Sequence, residues 1–293
     1  MKHLFYSVVV IGVMSFFSSC KEVGPEINLH GNANSVSDTT YIESPVATPA
    51  SKNILLEEFT GVNCPNCPEG HALVATIEAQ YPGRVSAIAF HPANTLGKPF
   101  TGISNQDLQD PKSTSLLSYL GSPGFEPCAG VDRQLFSGQT NILTDRSYWS
   151  GFAAQDLLLT PQVNILLSDQ YIISTGKVTV IAEIHYTQAV SVANNITIAL
   201  TEDSINTAQL DGANIDTPYY HMGVLRNILT SNTGDNVAFN STVTLVPGRV
   251  VRLVYQTTLN ALWKPENMHI LAYVHEHASS QVVYQAAKIK LTN

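Results

Sequence analysis

Cysteine, tryptophan and basic charge are all scarce in this chain: four cysteines, two tryptophans and 15 Lys plus Arg against 23 Asp plus Glu in 293 residues. The formal net charge of −8 and the lack of any Lys/Arg cluster argue against nucleic acid as a partner. Beyond the N-terminus no apolar run approaches the ~20 residues a membrane-spanning helix needs. A P-loop, a G-x-S-x-G elbow, an H-E-x-x-H pair and a dinucleotide fingerprint are all missing, so nucleotide use and the standard hydrolase chemistries find no support. No cofactor is called for.

What is present begins with an export signal. Lys2 and His3 precede an apolar run from Leu4 to Phe17 that ends in small residues before Cys20. It is too short to span a bilayer comfortably and reads as a signal peptide over residues 1–19. Phe17-Ser18-Ser19-Cys20 resembles a bacterial lipobox, which implies cleavage before Cys20 and fatty acylation of its thiol. Each buried methylene contributes ~0.8 kcal/mol, so two or three chains make a lasting anchor. The membrane would then be a partner through Cys20. Residues 20–52, rich in Ser, Thr, Asn and Pro, read as a disordered tether.

The remaining three cysteines carry the chemistry. Cys64 and Cys67 form a C-x-x-C pair between a short apolar run, Asn53–Phe59, and a segment with apolar side chains at helical spacing, Ala72–Ala79. A cysteine at a helix N-terminus meets unpaired N–H groups and the positive end of the macrodipole, which favour its thiolate. The arrangement is that of thioredoxin-like domains. By that likeness Cys64 is the attacking and Cys67 the resolving thiol, with a protein thiol or disulfide as partner. Glu58, six residues before Cys64, takes the place of a buried acid that relays protons. Pro127 takes that of a cis-proline opposite the motif, with Pro123 as competitor. Asn63 stands where thioredoxins commonly have tryptophan. Cys128, directly after Pro127, is an odd thiol in an exported protein and a candidate third sulfur beside Cys64.

Two other readings of the motif stay open. One is a permanent structural disulfide on an adhesive or assembly component. The other is a copper or zinc site built from Cys64, Cys67 and His71, with His91 near the same sheet edge. The close spacing of the two cysteines counts against metal. His275 and His277 share a strand face near a hairpin and read as surface residues.

From 53 to 158 strand and helix patterns alternate, with strands at 53–59, 85–91 and 129–136 and helices at 66–80, 111–120 and 144–157. This implies an α/β layer fold. From 159 to 293 seven strand-like segments follow one another, as in an immunoglobulin-like β-sandwich.

The lipobox, the Leu55-Leu-Glu-Glu-Phe-Thr-Gly-x-x-Cys-x-x-Cys-Pro68 segment, the Pro127-x-x-Gly-Val-Asp-Arg133 segment and the all-β C-terminal half together resemble the Omp-28-related outer-membrane lipoproteins of Bacteroidetes. The resemblance covers roughly residues 53–291. It implies a thioredoxin-like α/β domain followed by a β-sandwich. It also implies lipid anchoring at the outer membrane, with a periplasmic or surface-exposed body.

Overall fold

A computed structural model describes residues 35–238, 243–277 and 280–292. The signal peptide and Cys20 lie outside the described residues. Among those described, no helix is long and apolar enough to cross a membrane.

Fourteen strands and three α-helices follow in order: β1 Ser35–Ile42, β2 Ile54–Phe59, α1 Cys67–Gln80, β3 Val85–Phe90, α2 Pro111–Leu120, β4 Cys128–Val131, α3 Trp149–Asp156, β5 Val163–Ile172, β6 Lys177–Tyr186, β7 Asn194–Glu202, β8 Ile205–Asp211, β9 Asn214–His221, β10 Val224–Ile228, β11 Asp235–Asn236, β12 Arg249–Thr258, β13 Met268–Glu276 and β14 Val283–Lys290. The expected sandwich is present. A four-stranded sheet, β1-β12-β6-β5, packs on β14-β13-β7-β10 through a core that includes Val180, Ile184, Ile198, Leu253, Ile270 and Val274. Strand β6 alternates buried and half-buried residues along its whole length, the pattern of a sheet with one face in the core.

The α/β segment is fused to that sandwich by backbone pairing. β10 pairs in parallel with β3 at Val224 and Ala89, so the strand order β14-β13-β7-β10-β3-β2-β4 is one continuous sheet. On one face Leu116 and Leu120 of α2 join Phe59, Phe90, Leu225 and Leu271 in a shared apolar layer. On the other, Val74 and Ile77 of α1 and Phe152 of α3 cover Ile54, Leu56 and Ala87. All six residues of β2 are buried, as are all six of β3, because both strands are covered on two faces.

Three expectations change. The stretch read as tether contains β1, which pairs antiparallel with β12 from Ser35 to Ile42. Most of its residues are polar, and the ladder to an apolar neighbour holds it in place, not an apolar period of its own. The predicted strand at 129–136 stops at Val131, because Asp132 and Arg133 turn into left-handed backbone with φ of 47° and 52°. His275, read as a surface residue, is fully buried, with Nε2 3.2 Å from Thr197 Oγ1 and Nδ1 2.9 Å from the carbonyl oxygen of Glu276.

The two left-handed residues have clear compensation. Asp132 accepts the Leu55 N–H at 2.8 Å and pairs with Lys52 at 2.7 Å. Arg133, fully buried, donates to both carboxylate oxygens of Glu57 at 2.8 Å and to Tyr273 Oη on β13 at 2.8 Å. A non-glycine residue in this conformation costs of order 1–3 kcal/mol and persists only where its surroundings over-determine it. Here the bonded side chains do so, and they tie the α/β segment to the sandwich.

Candidate functional site

The C-x-x-C motif closes the turn between β2 and α1. Cys64 and Cys67 are joined in a disulfide with Cα atoms 5.4 Å apart, and Cys67 opens the helix. Two features of the surrounding sequence meet at Gly70, one turn into α1. A Cβ there would lie 2.7 Å from Glu58 Oε1 and 3.1 Å from the Pro127 side chain. Only glycine lets the helix settle this closely on the acid and the proline. The Glu126–Pro127 peptide bond is cis, whereas Ser122–Pro123 is not among the cis bonds. The Glu126 carbonyl oxygen sits 3.6 Å from Cys64 Sγ.

Strand alternation separates the two adjacent acids. Glu58 points with Ile54 and Leu56 toward α1, and burial raises its carboxyl to about 8, so it holds its proton at neutral pH. Its Oε1 has no hydrogen-bond partner among the described residues. Together with His71, Glu78, Asp203, Tyr219 and Lys288 it lines a cavity of about 150 Å³.

Cys128 belongs elsewhere. It packs with Leu55, Phe59, Leu116 and Leu120 on the α2 face of the sheet, across from Glu58 and α1. Burial, with Glu126 and Glu58 adding to it, pushes its thiol well up, so it carries no thiolate. Cys128, the candidate third sulfur, thus lies on the side of the sheet away from Glu58, which counts against a place in the site. The reason is the period of two along β4: Cys128 and Ala129 face opposite sides.

The side chains named for the metal alternative have other partners in this structure. The sulfurs of Cys64 and Cys67 are bonded to each other, and both ring nitrogens of His71 are engaged: Nε2 lies 2.8 Å from Thr60 Oγ1 and Nδ1 2.6 Å from Tyr219 Oη. Burial lowers His71 to about 4 and His221 to about 3, and also holds His91 well below its usual value, so all three imidazoles are neutral. Their rings sit close together, His221 with centroids 6.0 Å from His71 and 5.8 Å from His91. Among the described residues no group of three or more His, Cys, Asp or Glu side chains is disposed to hold a metal.

Sequence reasoning missed what covers the disulfide. β8 and β9 form a separate two-stranded hairpin, and β8 lies along the 61–65 loop. Leu210 N–H donates to Val62 O at 2.8 Å and Gly212 N–H to Pro65 O at 3.0 Å. The Gln209 side-chain amide lies 3.2 Å from Gly61 O and 3.1 Å from Cys64 O, and Ile205 packs on Val62. The result is a disulfide with Cys64 at 1% and Cys67 at 0% exposure, where a reactive N-terminal cysteine was expected to be the more open of the two. One signal for the hairpin was there to read: Asp211-Gly212, a dipeptide suited to a tight turn, with Gly212 at φ 57°.

Fold and site together define a β-sandwich protein whose sheet continues into an α/β segment bearing a covered C-x-x-C disulfide. The chain belongs to the Outer membrane protein Omp28 family, whose profile matches residues 114–293. The family supports placement at the outer membrane. Among solved structures, HBP35 of Porphyromonas gingivalis is similar with a TM-score of 0.65 at 18% identity, over 83% of this chain and 77% of that one. A protein of Agrobacterium tumefaciens is similar with a TM-score of 0.52 at 12% identity, over 84% of this chain and 97% of that one. At these identities the likeness is one of fold. A domain of the outer membrane lipoprotein Omp28 from Porphyromonas gingivalis aligns at 18% identity with a TM-score of 0.31, over 45% of this chain and 89% of that one. No curated protein matches the chain.

Proposed function

We propose that this chain is a lipid-anchored outer-membrane protein whose α/β segment is thioredoxin-like and carries out thiol-disulfide exchange through Cys64 and Cys67. The observation that carries the reading is the convergence at Gly70. The helix that Cys67 opens brings Gly70 onto the neutral Glu58 and Pro127, and the residue before that proline, Glu126, lays its carbonyl oxygen 3.6 Å from Cys64 Sγ. A purely structural disulfide has no use for a buried carboxyl held in its protonated form with one oxygen, Oε1, unpartnered.

The exchange balances as follows. A thiolate of a partner dithiol attacks Cys64 Sγ, the Cys64–Cys67 bond breaks, and its electron pair passes to Cys67. Glu58, protonated up to about 8, is the acid placed beneath the helix to neutralise that leaving thiolate. The partner's second thiolate then attacks its own sulfur in the mixed disulfide and expels Cys64, which takes its proton from solvent. Two electrons move from the partner to the pair, and the reverse sequence oxidises a partner. Cys67→Ser tests the reverse direction, in which the free Cys64 thiolate attacks a partner disulfide, expels one partner thiolate, and lacks the Cys67 thiolate that would release the partner from the mixed disulfide. Partner adducts on Cys64 in non-reducing electrophoresis are expected, and their absence in cells would overturn the exchange reading.

One observation favours a second reading. The disulfide is buried under the β8–β9 hairpin, as befits a permanent cross-link in a surface adhesion or assembly component. Anchoring is tested apart from either: Cys20→Ala should move the protein out of the membrane fraction, and unchanged detergent partitioning would contradict lipid attachment.

A further inference from the structure

The hairpin over the disulfide is built unlike the rest of the molecule. β8 and β9 pair with each other and with neither large sheet. An isolated two-stranded hairpin is marginal at best in water, so its place depends on what it touches. Those contacts comprise the buried side chains of Ile205, Thr207, Ala208 and Gln209 on β8, with Ile205 against Val62, and a set of polar bonds: the Gln209 amide on Gly61 O and Cys64 O, the two backbone bonds from Leu210 and Gly212, Thr207 Oγ1 accepting from Asn105 N at 3.0 Å, and Tyr219 on His71. Its outer strand is exposed from Asn214 to Pro218. At its base Ser204 and Gly223 are both left-handed, with φ of 58° and 62°, and Gly223 N–H donates to Asp203 Oδ1 at 2.7 Å, which pins the two ends together. The hairpin is thus a unit of its own, tied at its base and held by its inner strand β8, while its outer strand faces solvent.

The way it is held also specifies what else fits. Leu210 on β8 and Gly212, in the left-handed turn that follows, both donate a backbone N–H to the 61–65 loop. They fill the acceptors Val62 O and Pro65 O beside Cys64. Any extended polypeptide offers backbone N–H donors of its own, which is the basis of recognition by strand addition.

We propose that the β8–β9 hairpin is an intramolecular occupant of a strand-binding groove along residues 61–65, and that a partner engages Cys64–Cys67 as an extended polypeptide that displaces it. The proposal rests on the exchange reading above for its chemistry, with the partner segment's thiolate bonding to Cys64 as the pair passes to Cys67. It adds that the resting protein is closed to proteins and open only to a competitor for the groove.

The test compares two reductants, dithiothreitol and a reduced unstructured dodecapeptide with one central cysteine, on wild type, Gln209→Met and Tyr219→Phe. Methionine keeps the volume of Gln209 and removes its donors. Loss of those bonds should speed the dodecapeptide reaction by about tenfold or more, and loss of the Tyr219 bond by less. Hydrogen exchange at Leu210 and Gly212 should rise in step while β13 stays protected. Wild-type rates in both variants would overturn the proposal, as would hairpin amides protected like β13 while the peptide reacts. Should Gln209→Met fail to fold, Tyr219→Phe, which loses a single hydroxyl, decides on the same readouts. Equilibration against a glutathione couple separates the two claims. A pair too reducing to exchange sinks the exchange reading alone, whereas equal rates across the variants sink the lid alone.

Discussion

Glu57 and Glu58 are neighbours on one strand, both buried, and they have opposite fates. Glu57 faces the α2 side and is held by two charge-assisted bonds from Arg133, itself bonded to Tyr273 of the sandwich. Glu58 faces α1, finds no hydrogen-bond partner for Oε1, and keeps its proton. Identical side chains one residue apart thus serve as a structural anion and as a neutral acid, because the pleat sends them to different layers.

Breaking the Glu57 half should cost most. Glu57→Gln leaves the buried Arg133 charge without its counterion, and a loss of about 3–5 kcal/mol is expected in urea denaturation. A change under 1 kcal/mol would show that the pair is not the joint between the two segments.

The Glu58 half predicts a pH slope. Its carboxyl sits at about 8 in the folded protein against an ordinary value of 4.5, so between those limits the folded state binds more protons than the unfolded one. Stability contributed by this group is therefore full below about 4.5 and declines as pH rises, at up to ~1.4 kcal/mol per pH unit, levelling off above about 8. Glu58→Gln should remove that slope from the variant's own curve, so the stability difference between wild type and variant should change with pH between about 4.5 and 8. Parallel stability curves would mean that Glu58 is ionised in the folded protein.

The smallest effect belongs to Cys128. Cys128→Ala removes one sulfur from an apolar layer and should cost about 1 kcal/mol. Reduction kinetics of Cys64–Cys67 should stay as in wild type, and a changed rate would return Cys128 to the site.

Much of this was legible in the sequence where short-range signals are strong. α2 runs over Pro111–Leu120 as predicted, since Asp110 caps it by accepting from Lys112 N–H, Pro111 opens it and left-handed Gly121 closes it. The C-x-x-C, its helix and the strand before it were equally plain. Long-range pairing was not. β1 carries polar residues that only β12 explains, and the fusion of β10 to β3 joins residues 224 and 89 that no local pattern connects. β8 and β9 were passed over because their residues, Asn206, Thr207, Gln209, Asp216 and Pro218 among them, lack the apolar alternation of a core strand. The Val131-Asp132-Arg133 segment was legible as part of a family signature, while its physical role, a left-handed turn held by Lys52 and Glu57, required the partners to be seen.

The most direct test of the exchange function is the equilibrium reduction potential of Cys64–Cys67, measured against glutathione couples with alkylation and mass analysis of the intact protein. Exchange at this site predicts a potential above about −300 mV, within reach of partner dithiols. A value well below about −300 mV would mark a permanent structural bond and contradict the account.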